Sequence, residues 1–284
     1  MPVDVAKAKS APATKSEGSW NKNDVILYHL GIGAGMEKPT DAKELEYTYE
    51  KSLKALPSFA VVPVFSSMFG MAGSGGVDIN WALVLHGEQD IEIHRPIPVE
   101  AAVESEARVA DIFDKGKAAL IIMEVKTKEK GGAPLFTNRF SIFARGEGGF
   151  GGEAGPKVGN AAPERAPDAT AESRTMPQQA LLYRLSGDTN PLHADPEFAK
   201  LGGFDVPILH GLCSYGIVCK AVVDTMLGGD VSKVARYQAR FSGVLFPGET
   251  IVTSMWKDGD KILVDAKCKE RGSAVISNAA ITLR

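Results

Sequence analysis

The sequence predicts an α+β chain built from two copies of one unit, a helix packed on an antiparallel sheet. Three observations predict it. Strand-like segments run through 99–112, 118–128 and 135–145, and again through 234–241, 250–256, 262–269 and 274–283. The two series share their punctuation. Arg95-Pro96-Ile97-Pro98 leads into strand, Asp114-Lys115-Gly116 turn, strand, Gly131-Gly132 turn and a strand ending at Arg145. Leu245-Phe246-Pro247-Gly248 leads into strand, Asp258-Gly259-Asp260 turn, strand, Arg271-Gly272-Ser273 turn and a strand ending at Arg284. Finally, the second series follows an apolar run from Pro207 to about Met226, which reads as a long buried helix. A repeat in element order is the mark of a duplicated unit. A sheet wrapped about one long helix is the hot-dog architecture, so two copies in one chain predict a double hot dog.

The elements follow in order. Residues 1–20 carry no apolar core of the kind a signal peptide needs and read as a disordered tail. Asn23-Asp24 can cap a helix that runs through Val25, Ile26, Leu27, Tyr28 and Leu30 and ends at Gly31. His29 inside it reads as structural. Gly31, Gly33 and Gly35 miss the GxGxxG spacing, with Met36 in the third position and no strand before them, so a nucleotide loop is not expected. Residues 44–50 alternate and suggest a strand, and 53–71 is an apolar stretch punctuated by proline and glycine. Residues 21–145 then form the first half. Residues 146–175, dominated by Gly, Ala and Pro, read as a linker, and 176–284 form the second half.

Composition narrows the function. The chain has 284 residues, 44% hydrophobic and 24% charged, with a net charge of −3, so no overall basic field favours nucleic acid. No apolar run approaches the length of a membrane span. The three cysteines form no CxxC pair and no even framework. Cys213 and Cys219 fall in the apolar run and read as small buried hydrophobes, so the chain suits a reducing compartment.

The chemistry concentrates in 182–216. Asp188, Asn190 and His193 lie within six positions, on a stretch where Gly187-Asp188 and Asn190-Pro191 are turn dipeptides. Pro191 biases Asn190 away from helix, so a tight turn rather than a helix can bring the acid and the imidazole together. Asp195-Pro196 then caps a short helix, 196–201, which stops at Gly202-Gly203. Gly211 falls in the first turn of the long helix, where N–H groups lack intrahelical partners. His210 reads as serving the helix start. An acid and a base on one turn can move protons to and from water, and a helix N-terminus can hold a growing oxyanion. Only the second half has such a turn, which predicts one active site per chain and leaves the first half free for another role.

The run Tyr183-Arg184-Leu185-Ser186-Gly187-Asp188-Thr189-Asn190-Pro191-Leu192-His193, followed by Pro207-Ile208-Leu209-His210-Gly211-Leu212, resembles the MaoC-like (R)-specific 2-enoyl-CoA hydratases. The likeness extends over about 20–284 and is to the hydratase part of the peroxisomal multifunctional β-oxidation enzyme and its free-standing bacterial relatives. It implies hydration of trans-2-enoyl-CoA to (3R)-3-hydroxyacyl-CoA with no cofactor and no metal. It implies Asp188 and His193 as the catalytic pair, Asn190 as the amide that helps hold them and Gly211 as the oxyanion donor. It further implies His86, Gly87, Lys115, Thr189, Pro191, Leu192 and Phe241 as acyl-CoA contacts, with Lys115 toward the CoA phosphates and Phe241 toward the acyl tunnel. It implies a cytoplasmic bacterial enzyme, or a peroxisomal one where the chain is part of a larger protein. A hot-dog thioesterase and a non-catalytic acyl-CoA binding module remain alternative readings, and both monomer and homodimer fit.

Overall fold

The computed structural model describes residues 3–65, 67, 75–79, 84–156 and 159–284. Their strands are β1 (Thr14–Trp20), β2 (Val84–Ile93), β3 (Ala101–Asp114), β4 (Ala118–Glu129), β5 (Pro134–Arg145), β6 (Ala169–Arg174), β7 (Val234–Phe241), β8 (Thr250–Asp258), β9 (Lys261–Cys268) and β10 (Ala274–Leu283). They make one ten-stranded sheet in the order β1-β3-β4-β5-β2-β7-β10-β9-β8-β6. Within each half the first strand lies at the outer edge, the second at the junction and the last three between them. The two halves are therefore the same five-strand unit used twice, the double hot dog that the punctuation predicts.

The halves join where β2 pairs antiparallel with β7, Glu88 opposite Arg240 and Asp90 opposite Gln238. Arg240 Nε donates to Glu88 Oε1 at 2.8 Å, and Arg236 Nη2 donates to Asp90 Oδ2 at 2.6 Å. Opposed charges on facing strands favour this register. Arg284 closes the seam by donating to the carbonyls of Ile93 and His94.

Two expected irregular segments are ordered instead. The predicted disordered tail holds a short helix, α1 (Val5–Ser10), capped by Asp4, and all of β1, which pairs with β3. The predicted linker contains β6, which pairs with β8. Six of the seven β1 residues are exposed, and β6 buries none fully, so neither segment shows a clear apolar face. Backbone pairing along a sheet edge orders them without one.

The helix α2 (Lys22–Gly31) is capped by Asn21, two residues before the expected Asn23. Asn21 and Asp24 form a reciprocal capping box. Residues 44–50, expected as a strand, belong mostly to the helix α3 (Ala42–Thr48), because Asp41 caps it by accepting from the Lys43 N–H. A seven-residue alternation did not outweigh a cap. The apolar stretch 53–71 includes a 3-10 turn, Pro57–Val61, whose five side chains are all buried, and its continuation beyond 67 lies outside the described residues.

The second half contains α4 (Gln179–Tyr183), α5 (Pro196–Leu201) and the long α6 (Gly211–Met226). The last begins four residues after the expected Pro207, because 207–209 stay extended and the Leu209 N–H donates to Leu245 O at 2.7 Å. Eleven residues of α6 are buried. A Cβ on Gly216 would lie 2.5 Å from the Tyr28 hydroxyl and 2.7 Å from Ile32, so this glycine admits α2 rather than a strand. Cys213, Cys219 and Cys268 are all buried and unpaired. No helix among the described residues is long and apolar enough to cross a membrane.

Candidate active site

The turn that carries Asp188 and His193 is built by two successive side-chain turns. Gly187 takes φ 120°, a conformation that favours glycine, and redirects the chain. Asp188 Oδ1 accepts from the Asn190 N–H at 3.2 Å, and Asn190 Oδ1 accepts from the Leu192 N–H at 3.0 Å. Pro191 then opens a 3-10 turn, Pro191–His193, that carries the imidazole back toward the acid. Arg184 closes the loop by donating to Thr189 O at 3.2 Å. The result brings one donor atom each of Asp188, His193 and His210 within 4.8 Å of one another.

The surroundings fix the state of each group. His193 is 8% exposed, and its Nδ1 lies 2.9 Å from Ile208 O. A carbonyl only accepts, so Nδ1 carries the proton and Nε2 keeps its lone pair for an incoming proton. Burial pushes the His193 imidazole below its ordinary value, and the Ile208 carbonyl and Asp188 partly offset that. Burial likewise pushes the Asp188 carboxyl above the usual aspartate range, against the opposing pull of His193. Both effects disfavour charge, so they narrow the gap between acid and base and lower the cost of passing a proton between them.

Gly211 is the first residue of α6, beside the catalytic turn. A Cβ there would sit 3.3 Å from the Phe241 ring, tighter than ordinary contact. Phe241 in turn meets His86 edge-on, ring centroids 4.9 Å apart. His86 donates from Nε2 to Glu88 O at 3.1 Å, and burial pushes it down to about 4. Gly87 is the extra residue of a bulge in β2, between the pairs His86–Ile142 and Glu88–Ser141.

These residues surround one cavity of about 1260 Å³, larger than a typical drug-sized site. Asp188, Asn190, Leu192, His193, Gly211 and Phe241 line it from the second half, and His86, Gly87 and Lys115 from the first. Thr189 and Pro191 do not line it; both are exposed and shape the turn. Lys115 lies at the hairpin between β3 and β4, where its ammonium donates to Ala154 O, and a smaller hollow beside it adds Lys117 and Arg145.

Sequence reasoning missed much of the apolar wall. Phe113, Leu120, Ile122, Ile142 and Phe143 come from the first half, and Phe204 and Leu245 from the second. A signal was available. Ala118-Ala119-Leu120-Ile121-Ile122-Met123 is apolar without alternation, which marks a strand covered on both faces. Ile121 and Met123 are buried in the core, while Leu120 and Ile122 face the cavity.

His210 serves the helix start, as expected, only through its main chain, whose carbonyl accepts from the Cys213 and Ser214 N–H groups. It occupies the N-cap position of α6, yet its side chain makes no capping bond. It lies instead behind the turn, stacked on His193. Asp188, His193 and His210 are also the described cluster with metal-ligand chemistry. The two rings stack at 3.8 Å with 29° between planes. Near-parallel planes meet well beyond ligand distance, so the rings cannot both aim in-plane lone pairs at one ion.

The family model for the MFE-2 hydratase 2 N-terminal domain matches residues 19–146, and that for the MaoC like domain matches 158–279. Enoyl-CoA hydratase ChsH3 of Mycobacterium tuberculosis is 45% identical over 281 residues, covering 97% of each chain. The chain belongs to the MaoC-like, hydratase 2-type family. Peroxisomal enoyl-CoA hydratase 2 of Arabidopsis thaliana is 41% identical over 96% of this chain and 93% of its own. Among solved structures, a MaoC-like dehydratase from Phytophthora capsici superposes with a TM-score of 0.90 at 34% identity, covering 99% of this chain and 98% of its own.

Proposed function

We propose that the chain hydrates trans-2-enoyl-CoA reversibly to (3R)-3-hydroxyacyl-CoA, with Asp188 and His193 as its acid–base pair. The observation that carries this reading is the tautomer of His193. Its Nδ1–H is committed to Ile208 O, which leaves a basic Nε2 beside a half-buried carboxyl at the wall of a large, mostly apolar cavity.

Water held by the pair loses a proton to it as its oxygen bonds to the β carbon. The C2–C3 π electrons move toward the thioester carbonyl, where charge grows on oxygen. The Gly211 N–H, at the positive end of α6, is placed to hold that charge. A proton from the pair then reaches the α carbon, so one water is added and the pair is restored. Because both groups lie on one turn, water enters from one face. The first half supplies the acyl wall through Phe113, Leu120 and Ile122, with room for long chains, and Lys115 sits where the phosphates of CoA can be met. The relatives work both as free-standing bacterial proteins and in peroxisomes; we assign this chain the bacterial, cytoplasmic setting.

The test is an enoyl-CoA panel from crotonyl- to decenoyl-CoA, with product chirality read by R- and S-specific dehydrogenases. A 3R product is expected. A 3S product overturns the stereochemical assignment, and release of free thiol without hydration supports thioesterase chemistry instead.

A further inference from the structure

We propose that His210 is a positioning residue that holds the acid-bearing turn at a fixed distance from the oxyanion donor. The proposal rests on the assignment of Asp188, His193 and Gly211 above. His210 is fully buried and does not line the cavity, although its neighbours Leu209 and Gly211 do. It therefore acts behind the site and does not touch the substrate.

Its bonds explain how. Nε2 lies 3.1 Å from the main-chain carbonyl of Asp188. That oxygen only accepts, so Nε2 carries the proton and donates. The His210 carbonyl accepts from the Cys213 and Ser214 N–H groups and begins the ladder of α6. Asp188 is thereby tied through a single residue to the helix whose first N–H belongs to Gly211. The ring fills the gap between Tyr183, 5.0 Å away, and His193, stacked at 3.8 Å. It thus also backs the imidazole that receives the proton.

The remaining nitrogen argues against a purely structural origin. Nδ1 is buried with no partner among the described residues. An unpaired buried polar atom costs stability, so folding alone would favour an apolar ring here. The charged and titratable groups around it are Asp188, His193, Tyr183 and Arg184. Burial, reinforced by His193, keeps the ring neutral down to about pH 3, so the donor persists across the working range.

Two variants separate the donor from the ring. In His210→Gln the side-chain amide nitrogen can replace Nε2 as donor, and in His210→Phe the ring stays while the donor is lost. His210→Phe should lower kcat ~100-fold, as expected for a small misplacement of reacting groups, with KM for decenoyl-CoA nearly unchanged. His210→Gln should restore kcat to within ~10-fold of wild type. Equal kcat in the two variants, or wild-type kcat in His210→Phe, overturns the proposal. Should His210→Phe fail to fold, His210→Ala against His210→Gln reads the same difference. Asp188→Asn measured alongside tests the underlying assignment. If it is inactive while His210→Phe is fully active, only the positioning role fails; if it is fully active, the site itself was wrongly assigned.

Discussion

The two halves of the chain contain the same five strands in the same order, but they do different work. The second half places Asp188, His193 and Gly211 at one end of its long helix. The first half has no such turn in its sequence and meets the same cavity with Phe113, Leu120, Ile122 and Phe143. Its polar contributions include Glu88 and Lys115 as well as the His86-Gly87 bulge. The repeated unit thus presents two surfaces to one cavity, with Asp188 and His193 on one and mostly apolar side chains on the other.

The comparison can be broken most forcefully at the pair itself. His193→Gln should lower kcat/KM ~1000-fold, within the range for loss of general acid–base catalysis. Steady-state hydration of crotonyl-CoA checks it, and activity near wild type would return chemistry to some other part of the chain. Gly211→Val comes next. Its side chain must press into Phe241, already 3.3 Å from a Cβ, and block the approach of the thioester to the N–H. A fall in kcat of ~100-fold is expected, comparable with removing an oxyanion donor.

A substitution in the first half should act on specificity instead. Ile122→Trp shortens the apolar wall, so kcat/KM for decenoyl-CoA should drop ~10-fold while crotonyl-CoA is little affected, the scale on which pockets discriminate apolar groups. Equal losses for both substrates would contradict a division of labour.

The smallest effect concerns stability, where the halves should behave alike. Burial holds His29 and His86 in the first half down to about 4, and His210 in the second to about 3. His29 is neutral, donating from Nδ1 to Tyr47 O and accepting at Nε2 from the Leu56 N–H. Between pH 6.5 and about 4 the unfolded chain binds more protons at these sites than the folded one, so stability falls as pH falls through that window. Thermal unfolding from pH 7 to 4.5 reads this, and His29→Asn should flatten part of the slope. A Tm that rises on acidification would contradict it.

Where the sequence was legible depended on the force at work. Strands β3 to β5 and β7 to β10 could be read because burial imposes alternation and turns need Gly or Asp. The turn from Gly187 to His193 could be read because Gly187, Asp188, Asn190 and Pro191 carry local conformational instructions. β1 and β6 could not, and they are equivalent members of the two units. Both are edge strands held by backbone pairing, which leaves little trace in side chains. The bond from His210 to the Asp188 carbonyl was hidden for a related reason: it joins residues 22 positions apart, and no local pattern records such a pairing.

The claim that one half carries the chemistry while both form the pocket meets its most direct test in Asp188→Asn. Decenoyl-CoA bound per chain is counted by equilibrium titration, and hydration of the bound ligand is followed in a single turnover. The account predicts one ligand per chain, bound with near wild-type affinity and hydrated ~1000-fold more slowly. Two ligands per chain, or hydration at an undiminished rate, would contradict it.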